Sequence, residues 1–157
     1  MKIAMISFTG NGRRLERSLA HELEKEGHQV LQAVKCKELE SDKDAVKCSA
    51  REWTGEQFRT RDVLIFIGAV QIAVRLIASF IGSKTTDPAV LVLDEKGQYC
   101  IPILSGHIGG ANELAERIAE IANDHKGWLM RRNITKIGSN ICLLYTSPSP
   151  RDTERSR

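Results

Sequence analysis

Residues 62–68, DVLIFIG, form an unbroken apolar run that ends in glycine, and AVQIAVRLIASFIG continues from it as a largely apolar helix to Gly82. An apolar run without polar alternation has to be buried on both faces, which is the condition of a strand inside a parallel sheet. A strand that feeds straight into a helix is half of a parallel βαβ unit, so this stretch alone points to an α/β layered fold.

The rest of the chain extends that reading. KIAMISF (2–8) is a first strand closed by TGNG, and RRLERSLAHELEKEG then sets Leu15, Leu19, Ala20 and Leu23 at helical spacing until Gly27 stops it. HQVLQAV supplies the next strand, and the polar, lysine-rich stretch 35–52 is expected to be an irregular surface segment. SKTTDPA breaks the second helix, because Pro88 lacks an amide hydrogen and biases Asp87 away from helical geometry. VLVLD and YCIPIL flank EKGQ and predict a hairpin turned near Gly97, with Pro102 marking an edge strand or the strand's end. From Ala111 to Ala122 an apolar stripe lies opposite Glu113, Glu116, Arg117 and Glu120, which predicts a helix packed on the sheet. The expected architecture is a sheet of mostly parallel strands with helices packed on it and one hairpin.

Length and charge narrow the class. A chain of 157 residues suits one globular domain, and no apolar run is long enough to cross a bilayer. MKIAMISF lacks the basic segment and cleavage pattern of a signal peptide, so a cytoplasmic protein is expected. Cys36, Cys48, Cys100 and Cys142 have no metal-knuckle spacing and are read as reduced thiols. Residues 1–123 hold 16 Lys and Arg against 17 Asp and Glu, whereas residues 124–157 hold 7 against 3, so the basic excess sits in the tail and gives no nucleic-acid surface. That tail loses all periodicity, its LLYTSPSPRDTERSR looks like translated sequencing-adapter read-through, and it is expected to be disordered or artefactual.

Polar and glycine residues gather at turns. In SGHIGGAN (105–112), Gly106, Gly109 and Gly110 precede a helix, where backbone amides and the helix dipole suit a carboxylate or phosphate. The spacing is neither a dinucleotide fingerprint nor a Walker loop, so a tight structural connection is the competing reading. His107 within it is a candidate general acid or base, against an ordinary solvated loop histidine. Asp94 and Glu95 end a strand, where α/β folds place ligand crevices, although Glu95 reads as a polar turn residue. GSKTTDPA offers Lys84, hydroxyls including Thr85, and Asp87 together, and Arg75 stands in an otherwise apolar helix, as an anion contact or an exposed-face arginine. SFTGNG (7–12) has the residue types of a flavodoxin phosphate loop, but Gly12 and Arg13 replace its next hydroxyl residue.

Taken in order, IGAVQIAVR, KTTDPAV, LDEKG and LSGHIGGAN within residues 64–119 closely resemble the CbiG family of cobalamin-biosynthesis proteins, the cobalt-precorrin-5A hydrolases, and KIAMISFT with the following glycine resembles that family's start. Ser79 stands where the family usually has proline, and the family's continuation past residue 123 and its C-terminal domain are not recognisable, so the chain reads as an N-terminal piece: 1–123 an α/β region, 124–157 a non-matching tail. The resemblance implies opening of the δ-lactone of cobalt-precorrin-5A with release of acetaldehyde in anaerobic corrin synthesis. It implies a small corrinoid partner, no cofactor beyond the cobalt carried by the substrate, no protein metal site, no nucleic acid or membrane partner, and leaves a homo-oligomer open. For such a substrate, chemistry assigns His107 as base or acid, with Asp94 or Asp87 orienting it or activating water. The expected substrate contacts are Arg75, Lys84, Thr85, Ser105, Gly106, Gly109, Gly110 and Asn112. The alternatives are a corrinoid- or carboxylate-binding module without its own catalysis, and a flavodoxin-like protein holding FMN.

Overall fold

A computed structural model of the chain describes residues 1–105 and 110–124. Five strands form one sheet: β1 (Lys2–Ser7), β2 (Gln29–Val34), β3 (Val63–Ile67), β4 (Ala89–Leu93) and β5 (Cys100–Leu104), in the spatial order β2-β1-β3-β4-β5. The first four run parallel, with registers such as Met5 opposite both Gln32 and Ile65, and Ile65 opposite Leu91. β5 alone is antiparallel, pairing Leu93 with Cys100 and Val90 with Leu104. Two helices cover each face. Helices α1 (Gly10–Lys25) and α4 (Ala111–Asp124) bury Leu15, Leu19, Leu23, Leu114 and Ile118 against Ile3, Met5, Ile65 and Leu91. On the other face α2 (Ala50–Thr60) and α3 (Val70–Ile77) bring Trp53, Phe58, Ala73 and Ile77 onto Ala4, Ile6, Leu64 and Phe66.

The central run behaves as its composition demands: every residue of β3 and β4 is buried. The hairpin turns with Gly97 at φ 65°, a left-handed conformation that glycine adopts without steric cost, and Pro102 lies in an edge strand where its missing amide hydrogen breaks no ladder. Three expectations need correction. α1 starts at Gly10 rather than after the TGNG turn, because Thr9 caps it by accepting the Gly12 amide hydrogen at 3.0 Å. α3 stops at Ile77, five residues short of Gly82, with only Ala73 and Ile77 fully buried, so too little of its apolar surface is packed to extend it. The stretch 35–52 is not wholly irregular: it makes a short 3-10 turn at Lys37–Leu39, pairs Val34 with Ala45 in a parallel bridge, and from Ala50 runs into α2. That helix opens with a complete capping box, Ser49 accepting from the Glu52 amide while the Glu52 carboxylate accepts from Ser49. The reading of the tail falls on residues 125–157, outside the described residues.

Candidate functional site

Sheet direction decides which candidate residues meet. Because β5 runs against β4, it ends at Leu104 and Ser105 at the amino-terminal end of the parallel strands, next to the 82–88 connection that enters β4. Ser105 joins the two loops: its hydroxyl donates to the Asp87 carbonyl oxygen at 3.1 Å, and its backbone is held at φ 54°. A non-glycine residue in the left-handed region is a local cost that the surroundings must offset, and such residues concentrate where a turn has to present something. Gly110, at φ 76°, sets the start of α4, and its carbonyl oxygen accepts the Leu114 amide. Asn112 is half-buried in the helix's first turn. His107, Gly106 and Gly109 lie outside the described residues.

The facing loop is ordered by its own bonds. The Asp87 carboxylate accepts the Gly82 amide at 3.0 Å, the Ser83 carbonyl accepts the amides of Thr86 and Asp87, and the Ser83 and Thr85 hydroxyls bond at 2.9 Å. Asp87 is half-buried, whereas Lys84 and Thr85 are exposed, and Lys84 has no hydrogen bond or ion pair among the described residues. Arg75 is exposed in the last turn of α3 and is likewise unpaired there. A cleft of about 560 Å³ opens beside Gly110, lined by Met1, His28, Glu113, Leu114 and Arg117. Its helix wall is anionic, because Glu113 and Glu116 stand on it and the Arg117 guanidinium is taken up by Glu26 and Glu120.

Asp94 is elsewhere. It follows β4 at the sheet's carboxyl end, roughly 20 Å along the strand from Asp87, and its two carboxylate oxygens accept the amides of Tyr99 at 2.6 Å and Lys96 at 3.2 Å, closing the hairpin. Glu95 is an exposed residue of that turn. The SFTGNG turn lies at the β1/β3 switch point, where flavodoxin-like folds of this strand order hold their ligand. Its Thr9 hydroxyl is occupied by the helix cap, and Gly12 sits so close to Ile67 that an added Cβ would lie 3.2 Å from it. Cys100 is buried, and burial pushes its thiol up to about 12, so it offers no thiolate at neutral pH.

The strongest charged cluster was not anticipated from the sequence. Arg13 and Glu16, both buried in α1, form an ion pair at 3.1 Å beneath the ends of β1 and β2. The Ser7 hydroxyl donates to Glu16 at 2.6 Å and the Ala33 amide donates to it at 2.9 Å, while Arg13 also donates to Gln32, Asp42 and Asp44. The signal was present: Glu16 stands at helical spacing on the same buried stripe as Leu19, Ala20 and Leu23. Burial raises the Glu16 carboxyl to about 7, against Ser7, Ala33 and Arg13, whereas the Arg13 hydrogen bond and the Asp44 amide hold Asp42 down at about 2.

The signs of these shifts fix a pH dependence. Folded Glu16 keeps a proton that the unfolded chain has released, so its contribution is complete below about pH 4.5 and falls by about 3 kcal/mol as pH rises to 7. Asp42 acts oppositely, its contribution being lost as pH falls from about 4 to 2. Glu16→Gln should therefore flatten the decline in urea midpoint between pH 4.5 and 8; an equal decline in both proteins would remove Glu16 as its source.

These features define a flavodoxin-like doubly wound α/β domain in which the 82–88 connection and Ser105 meet at the amino ends of the parallel strands. Residues 52–126 match the family model Cobalamin synthesis G N-terminal, so that segment is similar to the CbiG family. A 64-residue stretch is 53% identical to the cobalt-precorrin-5A hydrolase of Salmonella typhimurium strain LT2, covering 41% of this chain and 18% of that protein. A 70-residue stretch is 47% identical to the cobalt-precorrin-5A hydrolase of Priestia megaterium, covering 45% of this chain and again 18% of the relative. The chain thus matches less than a fifth of the length of these curated relatives. In fold it is similar to the crystal structure of a cobalamin biosynthesis protein G homolog from Sulfolobus solfataricus, with a TM-score of 0.62 and 24% identity over 90% of this chain and 46% of that one. Among the described residues no helix is long and apolar enough to cross a membrane.

Proposed function

We propose that the chain takes part in cobalamin biosynthesis by acting on cobalt-precorrin-5A, opening its δ-lactone with release of acetaldehyde. The observation that carries this reading is the junction of the 82–87 and 105–112 loops through Ser105, which brings Lys84, Thr85, Asp87 and the start of α4 to one end of the sheet. Both loops fall within the family-matched segment.

The chemistry asks for what this end of the domain supplies. A precursor corrinoid carries acetate and propionate arms, which Lys84, Arg75 and the amides at the start of α4 would hold as charge-assisted hydrogen bonds. Lactone opening needs a base that takes a proton from water as the oxygen attacks the lactone carbonyl, and donors for the oxyanion that forms before the ring C–O bond breaks. His107 is the base, the carboxylate that orients it is Asp87, and the amides of Gly109 and Gly110 receive the oxyanion. Loss of the two-carbon unit is a retro-aldol step: a base removes the hydroxyl proton, the carbon–carbon bond breaks to give acetaldehyde, and the macrocycle takes up the electron pair. The cobalt is part of the substrate. The test is acetaldehyde release on incubation with cobalt-precorrin-5A, with the corrinoid spectrum followed in the same sample. Release supports the reading; a spectral shift without acetaldehyde would make this a binding module.

A further inference from the structure

The opposite end of the sheet carries a second cleft that this reading does not use. The chain leaves β2 through Val34, Lys35 and Lys37 and returns along the same free edge, where Ala45 bridges Val34 and the Val46 amide donates to the Val34 carbonyl. Between the outgoing and returning segments lies a cleft of about 550 Å³, a volume suited to a small molecule, at the carboxyl end of a parallel strand. Val34 and Val46 give it an apolar floor, and Lys35, Lys37 and Lys47 oppose the single carboxylate of Glu40 around it.

Two features make the cations available. Beyond Glu38 and Glu40, the carboxylates of this excursion, Asp42 and Asp44, are turned inward onto the buried Arg13 guanidinium, so they neutralise that charge rather than the lysines. The Lys35 ammonium donates to the carbonyls of Val46 at 2.9 Å and Cys48 at 2.7 Å, which fixes it between the two segments and leaves one N–H unused. Lys37, Lys47 and Glu40 are exposed and have no hydrogen bond or ion pair among the described residues. The returning wall is in turn anchored to α1 by the Arg13 network, so the cleft is formed before any ligand arrives.

We propose that this cleft binds a small organic anion with an apolar body, its carboxylate or phosphate held by Lys37, Lys47 and the remaining N–H of Lys35, and its apolar part on Val34 and Val46. The site lies before residue 52, outside the family-matched segment, and does not depend on the corrinoid reading.

The test is a titration of the whole ¹⁵N-labelled chain, followed by amide chemical shifts, with 2-naphthoate, 2-naphthyl phosphate, 2-naphthalenemethanol and inorganic phosphate. One or both naphthyl anions should shift the amides of residues 34–37 and 45–47 saturably, and the tighter one identifies the anionic group. The uncharged alcohol and phosphate alone should bind at least about fivefold more weakly, since each lacks half of the interaction. Lys37→Gln with Lys47→Gln should weaken the naphthyl anion by about tenfold, and Glu40→Gln should tighten it. All three side chains are exposed, so amides outside the cleft should keep their positions. Absence of saturable shifts at 34–37 and 45–47, equal binding of the alcohol, or indifference to the lysine substitutions would overturn the proposal.

Discussion

Replacing Arg13 with alanine is expected to lower the unfolding free energy at pH 8 by about 3–5 kcal/mol, the largest stability effect of any single charged residue described here. The reason is what the substitution leaves behind. Glu16 has no exposed surface and its only cation among the described residues is this guanidinium, so the loss strands a carboxylate that water cannot reach, while Asp42 keeps its exposed partner Arg17 at 2.6 Å. Asp44 loses the partner that ties the 42–46 segment to α1. Because Glu16 takes up a proton near pH 7, the loss should be smaller at pH 5, where that carboxyl is neutral. Arg13→Lys should recover only part of it, since an ammonium cannot reproduce the planar fork that serves Gln32, Asp42 and Asp44 together. Urea unfolding of the three proteins at both pH values measures this; a loss below 1 kcal/mol at pH 8 would mean the cluster is solvated and loosely coupled.

His107→Ala should reduce the rate of acetaldehyde release from cobalt-precorrin-5A by about 10²–10⁴, the range typical of losing a positioned general base or acid. Corrinoid binding, read from the spectral change, should move far less, because the proposed function gives the arms of the substrate to Lys84, Arg75 and backbone donors rather than to the imidazole. Loss of the acid limb of the pH–rate profile should accompany the fall in rate. Turnover unchanged from the parent would remove His107 from the mechanism and leave Asp87 as the group to examine.

The fold was readable in the sequence where burial is two-sided. DVLIFIG is all core because a central parallel strand has no solvent face, and the apolar stripe of α4 is buried at Ala111, Leu114, Ala115 and Ile118. The hairpin at Gly97 was readable because its turn needs a left-handed residue. α2 was not, since AREWTGEQFRT mixes the helix-weakening residues Thr54, Gly55 and Thr60 into a short, polar segment, and its clearest mark is the Ser49 and Glu52 cap rather than its periodicity. The site was legible as residue types but not as a place. Ser105 reaches the loop of Lys84 and Asp87 only because β5 runs antiparallel to β4, whereas Asp94 stands at the carboxyl end of β4, at the other end of the sheet, where it closes its own hairpin. Arg13 and Glu16 went unseen because a charge on a buried helical stripe reads as an exposed residue until its partners, which come from 16 or more residues further on in Gln32, Ala33, Asp42 and Asp44, are known.

The most direct measurement is amide hydrogen exchange with and without bound cobalt-precorrin-5A. The account predicts slowed exchange in peptides covering 82–87 and 105–112, at the amino ends of the strands. Protection confined to 8–12, 68–70 and 94–99 would place the corrinoid at the carboxyl-end switch point and contradict it.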